Sequence, residues 1–187
     1  MRKNSKKIQE MVVVASLGAI VAVLQYISMF IKFGPFNITL ALTPIVVGAI
    51  LYGPKAGGTL GFIMGLVVLL TNAEAFYVFS PLATIITCLL KSTAAGVIAG
   101  LIPMWIKQRN LSIVVSSIVT PLINTGIFII MCLLVFLPLL NEWAEGSNVL
   151  GYLFITMIGL QAIVEFVINA VLSPVVIQLV NIVKTKR

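Results

Sequence analysis

The sequence is poor in ionisable residues, and two residue types that much enzyme chemistry depends on are missing. Charged residues make up 9% of the 187 residues, against about a quarter in an average soluble domain. The sequence contains no histidine and no aspartate. A Ser-His-Asp triad, a histidine-containing zinc protease site and a Walker-type Mg²⁺ site are therefore excluded. We predict no catalytic residue and no metal ligand in this chain.

Further absences narrow the function. There is no glycine-rich phosphate-binding loop, so ATP-driven work would need ATP bound by another chain. The two cysteines, Cys88 and Cys132, lie in different apolar runs without metal-ligand spacing, and we interpret them as small packing residues. The net charge is +7, but the basic residues flank apolar runs, as topology signals and headgroup contacts do. We therefore predict no nucleic-acid partner and no cofactor in this chain.

Long apolar runs make up most of the sequence. Hydrophobic residues account for 60% of it, and the mean hydropathy is +1.18. Residues 11–31 carry no charge and are long enough to cross about 30 Å of hydrocarbon as a helix. We predict an all-α integral membrane protein with one transmembrane domain over 1–187. Its six predicted transmembrane helices are 8–31, 38–51, 56–70, 81–106, 111–137 and 150–183, and the predicted loops between them include 32–37, 71–79 and 138–149.

The basic residues predict the orientation of these helices. With six spans, ten of them fall on one side of the membrane: Arg2, Lys3, Lys6, Lys7, Lys55, Lys107, Arg109, Lys184, Lys186 and Arg187. The other side has Lys32 together with Glu74, Glu142 and Glu145. Because cytoplasmic loops carry the excess of lysine and arginine, we predict that both termini lie in the cytoplasm.

Polar side chains lie deep inside three of the predicted helices. Lys91 and Asn124 are in the fourth and fifth helices, and Gln161, Glu165 and Asn169 follow at four-residue intervals in the sixth. At about 1.5 Å per residue, Lys91, Asn124 and Gln161 share a depth of roughly 15–20 Å below the outer surface. A charge at this depth costs several kcal/mol and usually marks a substrate or ion site. We predict a site for a small polar molecule, in which Lys91 binds a carboxylate and the amides bind hydroxyls or amides.

A structural role for Lys91 and Glu165 is the alternative to binding. Buried charges usually are paired, so in this alternative the two side chains pair with each other. Such a pair is compatible with binding if the ligand inserts between its members. In the segment 71–80, we predict that Asn72, Tyr77 and Phe79 help to close the pocket, and an interfacial aromatic belt is the alternative.

Small residues form faces on two predicted helices. Ala15 and Ala19 are four positions apart on the first helix, with Ala22 nearby. Three glycines repeat at the same interval on the third helix: Gly57, Gly61 and Gly65. Such faces let helices approach closely. Packing within the protein and docking of a partner are both open for each face.

Several stretches together resemble the substrate-binding (S) component of energy-coupling-factor (ECF) vitamin transporters, over nearly the whole length. They are the alanine face of the first helix, LTPIVVGAILYGPKAGGTLGFIMGLVVLL, FSPLATIITCLLKSTAAGVIAGL, VTPLINTGIFIIMCLL and VEFVINAVLSPVV. In the longest stretch, a short helix ends in a Gly53-Pro54 turn before a glycine-rich helix. The pantothenate-type branch is the most similar one.

The resemblance implies a subunit of the bacterial cell membrane that captures a vitamin from outside and performs no covalent chemistry. Its implied partner is an energizing module of a transmembrane coupling protein and two cytoplasmic ATPases. ATP hydrolysis then topples the S component and releases the substrate inside. The resemblance also implies that the coupling protein docks on the face of Ala15, Ala19 and Ala22. The implied pocket is built from the outer halves of helices four to six and the loop after helix three.

Pantothenate matches the residues predicted for this pocket. Its carboxylate suits Lys91, and its amide and two hydroxyls suit Asn124, Gln161 and Glu165. Glu165 repels a carboxylate unless it faces the hydroxyl end or is neutralised by Lys91. Other vitamins or precursors (pyridoxine, hydroxymethyl pyrimidine, riboflavin, folate) are therefore the alternative. A small intramembrane enzyme with Lys91 or Glu165 as base, and a solitary channel or structural protein, are hypotheses of different classes.

Overall fold

A computed structural model describes residues 2–33, 36–37, 39–71, 73–144, 148, 151, 163–165, 167–168, 171–172, 174, 176–178 and 180. Helices and two short strands follow one another in this part of the chain. In order they are α1 (Arg2–Ser28), β1 (Lys32–Phe33), β2 (Phe36–Asn37), α2 (Leu42–Tyr52), α3 (Pro54–Thr71), α4 (Glu74–Phe79), α5 (Pro81–Trp105), α6 (Arg109–Leu134) and α7 (Leu137–Trp143). The described residues between 163 and 180 are also helical, and we call 150–183 the sixth apolar segment.

Four of the described helices are long and apolar enough to cross a membrane. They are α3, α5, α6 and the part of α1 from Lys7 to Ser28. The all-α membrane architecture predicted from the sequence is confirmed. In contrast, α2 has 11 residues and is about 16 Å long, roughly half of the hydrocarbon thickness.

The short helix α2 lies at the centre of the bundle and is buried along most of its length. It ends at Gly53, whose φ of 86° lies in the left-handed region that glycine adopts without strain. Pro54 then begins α3, because the first position of a helix needs no backbone N–H donor. The last turns of α2 pack into an apolar cluster with α5, α6 and Val180 of the sixth apolar segment.

The two ends of the bundle are distinguished by the connections they carry. One end holds α4, and we call it the α4 end. An apolar cluster near this end joins Ala73 to residues of α1, α2, α3 and α5, namely Val21, Leu42, Val68 and Cys88.

The opposite end carries the α2–α3 turn and the α5–α6 connection. Lys107 lies in the α5–α6 connection, and Lys55 and Arg109 lie in the first turns of α3 and α6. The Arg109 guanidinium donates a hydrogen bond of 3.0 Å to the carbonyl oxygen of Val180. This contact ties the sixth apolar segment to the start of α6.

The glycine face of α3 packs against α5. A Cβ on Gly61 would overlap the carbonyl oxygen of Ser92, and a Cβ on Gly57 would overlap the carbonyl oxygen of Gly96. The two backbones therefore approach as closely as faces of small residues allow. Of the two alternatives for the glycine face of α3, the structure shows packing within the protein.

The connecting segments are more ordered than the predicted loops. Residues 71–79 include α4, residues 138–149 overlap α7, and residues 32–37 include a β-ladder that pairs Lys32 with Asn37. Helices of six or seven residues are too short to produce a recognisable hydrophobic periodicity. They are stabilised by packing on each other, since the rings of Phe76 in α4 and Trp143 in α7 have centroids 5.4 Å apart.

Candidate functional site

Lys91 and Asn124 lie at the same level of the bundle. Ser116 of α6 donates a hydrogen bond of 3.2 Å to the carbonyl oxygen of Ala99 in the antiparallel α5, and this contact fixes the register of the two helices. Lys91 precedes Ala99 by eight positions, and Asn124 follows Ser116 by eight positions. Because both helices rise by the same distance per residue, a cation and an amide are brought to one depth.

The ammonium of Lys91 lies over an aromatic ring. Its Nζ is 4.7 Å from the centroid of the Phe128 ring, which is the distance of a cation–π contact. Phe128 is one helical turn beyond Asn124, towards the α4 end. Side chains lean towards the N-terminus of their helix, which for α5 is the α4 end. The half-buried Lys91 therefore extends towards the α4 end, above the level of Asn124.

Phe128 belongs to an aromatic cluster around Phe76 of α4. The centroid of the Phe76 ring lies 5.0 Å from that of Phe136, 5.4 Å from that of Trp143 and 5.7 Å from that of Phe128. All three pairs are edge-on, the favoured arrangement of aromatic rings. Phe76 is 8% exposed and thus anchors α4 to α6 and α7.

The aromatic residues predicted to close the pocket occupy a different position from Phe76. Tyr77 is 46% exposed and Phe79 is 42% exposed. The Phe79 ring lies at the edge of the cluster, with its centroid 6.2 Å from that of Phe136. The inward-pointing residue is Phe76, which the sequence analysis did not select. Adjacent residues of a helix point about 100° apart. Predicting a helix over 74–79 would therefore have placed Phe76 and its neighbour Tyr77 on different faces.

Three buried side-chain atoms have no hydrogen-bond partner among the described residues. They are Gln25 Oε1, Ser92 Oγ and Asn124 Oδ1. A buried polar atom without a partner costs about 1–3 kcal/mol, so each is a position where a ligand or water contributes a compensating contact. Asn124 is 4% exposed and shares its level with Lys91. This combination makes it the most informative of the three.

Glu165 contacts the chain that leads into α2. Glu165 is 1% exposed, and its Oε1 accepts a hydrogen bond of 2.9 Å from the backbone N–H of Thr39. The next residue, Leu40, donates its N–H to Ser28 Oγ at 3.2 Å. Ser28 in turn donates to the carbonyl oxygen of Leu24 at 2.8 Å. Side chains thus satisfy the backbone before α2, as a hydrocarbon environment requires.

The described contacts of Lys91 and Glu165 do not join these two side chains to each other. Lys91 contacts Phe128, and Glu165 accepts from Thr39. Pairing of the two as a brace between two helices stays a prediction. Two other predicted site residues, Asn72 and Gln161, lie outside the described residues.

The alanine face of α1 points away from the bundle. Ala15 and Ala19 are exposed, and Ala22 is half-buried. On the neighbouring, inward side of α1, Val21 is fully buried and Gly18 lies against Ile63 of α3. The exposed alanines leave a flat surface on which another helix can pack closely.

An apolar cavity lies apart from Lys91 and Asn124, between α1, α2 and the sixth apolar segment. Its volume is about 350 Å³, and its lining includes Leu17, Leu24, Val47 and Leu172. The described lining is almost entirely apolar and carries no charged group for a carboxylate. This cavity therefore suits an apolar group better than an anion.

The model of one protein family matches most of the chain. The family is described as ECF transporter, substrate-specific component, and the match covers residues 9–177. The chain belongs to this family. No curated protein and no solved structure matches this S component. The matched residues include the four membrane-length helices together with Lys91, Asn124 and Glu165.

Membership establishes the general activity. This S component is a multi-pass membrane protein and the substrate-binding subunit of an ECF transporter. It associates with an energizing module and a small vitamin-like substrate. The family predicted from the sequence is confirmed, while the pantothenate-type branch stays a prediction.

Proposed function

We propose that this S component captures pantothenate on the outer side of a bacterial plasma membrane, for import driven by ATP. The proposal is carried by the position of the Lys91 ammonium, which lies above the level of Asn124, towards the α4 end, with an aromatic ring as its described contact. Since a ring does not neutralise a positive charge, the ammonium retains its attraction for an anionic ligand.

Each polar group of pantothenate has a partner in this proposal. The carboxylate binds the Lys91 ammonium as a point charge. A hydroxyl donates to Asn124 Oδ1, which lacks another partner in the described part of the chain. Gln161 binds the amide. Glu165, held by Thr39, lies at the hydroxyl end, where it does not repel the carboxylate.

The segment around α4 closes the proposed pocket. Asn72, Tyr77 and Phe79 belong to this segment, and Phe76 anchors it to α6 and α7. The α4 end then faces the outside, because Lys55, Lys107 and Arg109 mark the opposite end as cytoplasmic. Both termini lie in the cytoplasm in this orientation.

The energizing module in the proposal consists of a transmembrane coupling protein and two cytoplasmic ATPases. The coupling protein docks on the surface of Ala15, Ala19 and Ala22, which is directed away from the bundle. This chain itself performs no covalent chemistry.

Calorimetric titration of the purified protein with pantothenate tests the assignment. We expect Lys91→Ala to weaken binding about 10- to 100-fold, because it removes a charged hydrogen-bond donor. Lys55→Ala is the matched control, since Lys55 is an exposed lysine at the opposite end. Equal affinity of Lys91→Ala and the wild type would show that Lys91 is not the anchor.

Two further measurements test the identity of the ligand separately from the substrate-binding role. Mass spectrometry identifies small molecules that co-purify with the protein, and titrations compare pantothenate with pyridoxine, hydroxymethyl pyrimidine, riboflavin and folate. Pantothenate is expected in the purified protein and as the tightest ligand. Tighter binding of another vitamin would replace pantothenate and leave the substrate-binding role in place.

A further inference from the structure

We infer that Phe128 is the specificity-determining residue that makes the site prefer an anion to a neutral molecule of the same shape. Its ring holds the Lys91 ammonium in the position where the ammonium receives a carboxylate. The inference rests on the proposed binding role of Lys91. It adds a residue to the site that charge and polarity alone do not identify.

The first step concerns the mobility of a lysine side chain. Lysine has a flexible four-carbon stem, and ordering that stem at the moment of binding weakens binding. In this structure the Nζ of Lys91 already lies over the Phe128 ring, 4.7 Å from its centroid. The ring therefore orders the ammonium before a ligand arrives, which lowers the entropic cost of capture.

The second step concerns the ring itself. Phe128 follows Asn124 by one helical turn, so both lie on one face of α6. Its centroid lies 5.7 Å from that of Phe76, which is 8% exposed at the centre of the aromatic cluster. A ring packed in this way stays in place when the ammonium above it binds a ligand.

The third step concerns the geometry of the ammonium. An ammonium group has three N–H donors, and a ring occupies only one side of it. Ring and carboxylate therefore bind the ammonium together and do not compete for it. A neutral analogue gains less than an anion from the charge that Phe128 positions, so loss of the ring weakens the anionic ligand more.

The test compares pantothenate with pantothenol, in which a hydroxymethyl group replaces the carboxylate. Both are titrated into the wild type, Phe128→Leu and Phe128→Tyr. We expect Phe128→Leu to reduce the preference for pantothenate about three- to ten-fold. Phe128→Tyr keeps an aromatic face and retains the preference. Phe62→Leu, which removes an exposed ring from α3, is the control.

A second arm does not depend on any ligand. Lys91→Met and Phe128→Leu are introduced singly and together, and the Tm of the ligand-free protein is measured. The effects of residues in contact are not additive, so we expect the double variant to deviate from additivity by about 2 °C or more. Additive effects would overturn the inference, whatever the protein binds.

The outcomes separate the inference from the proposed function. Coupling in Tm with an unchanged preference in Phe128→Leu would overturn the specificity role. If the wild type binds neither compound, the proposed ligand is wrong. The thermal cycle then decides only whether Phe128 orders Lys91: coupling supports this contact, and additivity rejects the inference. Phe128→Met, which also removes the ring, supplies the comparison if Phe128→Leu does not fold.

Discussion

Buried polar side chains in this bundle differ in whether the backbone already satisfies them. Ser28 and Glu165 accept hydrogen bonds from the backbone before α2. Asn124 and Gln25 each have a buried oxygen without a partner among the described residues. The first two therefore contribute to folding, whereas Asn124 is a residue that the proposed function assigns to binding.

Substitutions of Glu165 test this division at the residue level. The amide of Glu165→Gln can still accept from the N–H of Thr39, but Glu165→Leu leaves that N–H without its acceptor. Losing a hydrogen bond to a charged group costs about 1.5–3 kcal/mol. We expect Glu165→Leu to lower the Tm by about 4–10 °C and Glu165→Gln by less than half of that. Similar losses in both variants would mean that the hydrogen bond is not what Glu165 contributes.

Part of the candidate site was predictable residue by residue. Counting the helical rise was enough to select Lys91 and Asn124, and the hydrogen bond between Ser116 and Ala99 places them at one level. The contact of Lys91 with Phe128 was not predictable, because a phenylalanine in an apolar helix gives no signal of its own. Phe76 was missed because 71–79 was predicted to be a loop, so its helical faces were not considered.

Among the helices, the closest packing is that of α3 on α5. Glycine at two positions of α3 removes side chains that would overlap carbonyl oxygens of α5. The short helices α4 and α7 depend instead on aromatic rings, with Phe76 between Phe136 and Trp143. Close backbone contact and ring packing thus stabilise different parts of the bundle.

Alanine substitutions distinguish the required glycines from the tolerant ones. In Gly61→Ala the new Cβ overlaps the carbonyl oxygen of Ser92, so the helices must move apart. Overpacking of this kind costs about 1–3 kcal/mol, and we expect the Tm to fall by about 3–10 °C.

Gly126→Ala is the matched control, because a Cβ at Gly126 meets nothing within 4 Å. Alanine favours a helix more than glycine does, so the Tm should stay the same or rise. Equal melting temperatures of Gly61→Ala and Gly126→Ala would contradict close contact between α3 and α5.

The long helices could be predicted from the sequence, but the short ones could not. Long apolar runs gave α3, α5 and α6 to within three residues of their observed ends, whereas α1 begins six residues before its predicted start. The helix α4 has six residues, and its stability comes from rings that follow it much later in the chain. Such tertiary contacts leave no local pattern.

At the scale of the whole molecule, the proposed function assigns ligand binding and docking of the coupling protein to different surfaces. Ala15 and Ala19 are exposed on α1, far in the chain from Lys91 and Asn124. Substitutions on one surface should leave the function of the other intact.

A bulky residue on the alanine face tests this separation. We expect Ala15→Trp to abolish ATP-dependent uptake on co-expression with an energizing module and to retain the ligand affinity of the wild type, because an indole blocks close helix packing. Phe62→Trp is the control, since Phe62 is exposed on another helix. Normal uptake by Ala15→Trp would exclude this face as the docking surface.

The short central helix α2 affects how a bound substrate can leave the protein. The last turns of α2 fill the half of the bundle opposite α4, where Val46, Ile50, Ala99 and Ile113 form a solid floor. A nutrient held above this floor meets packed apolar side chains beneath it, and opening a passage there would disrupt that packing. We therefore expect the carrier to reorient as a whole, so that its mouth is presented first to one compartment and later to the other.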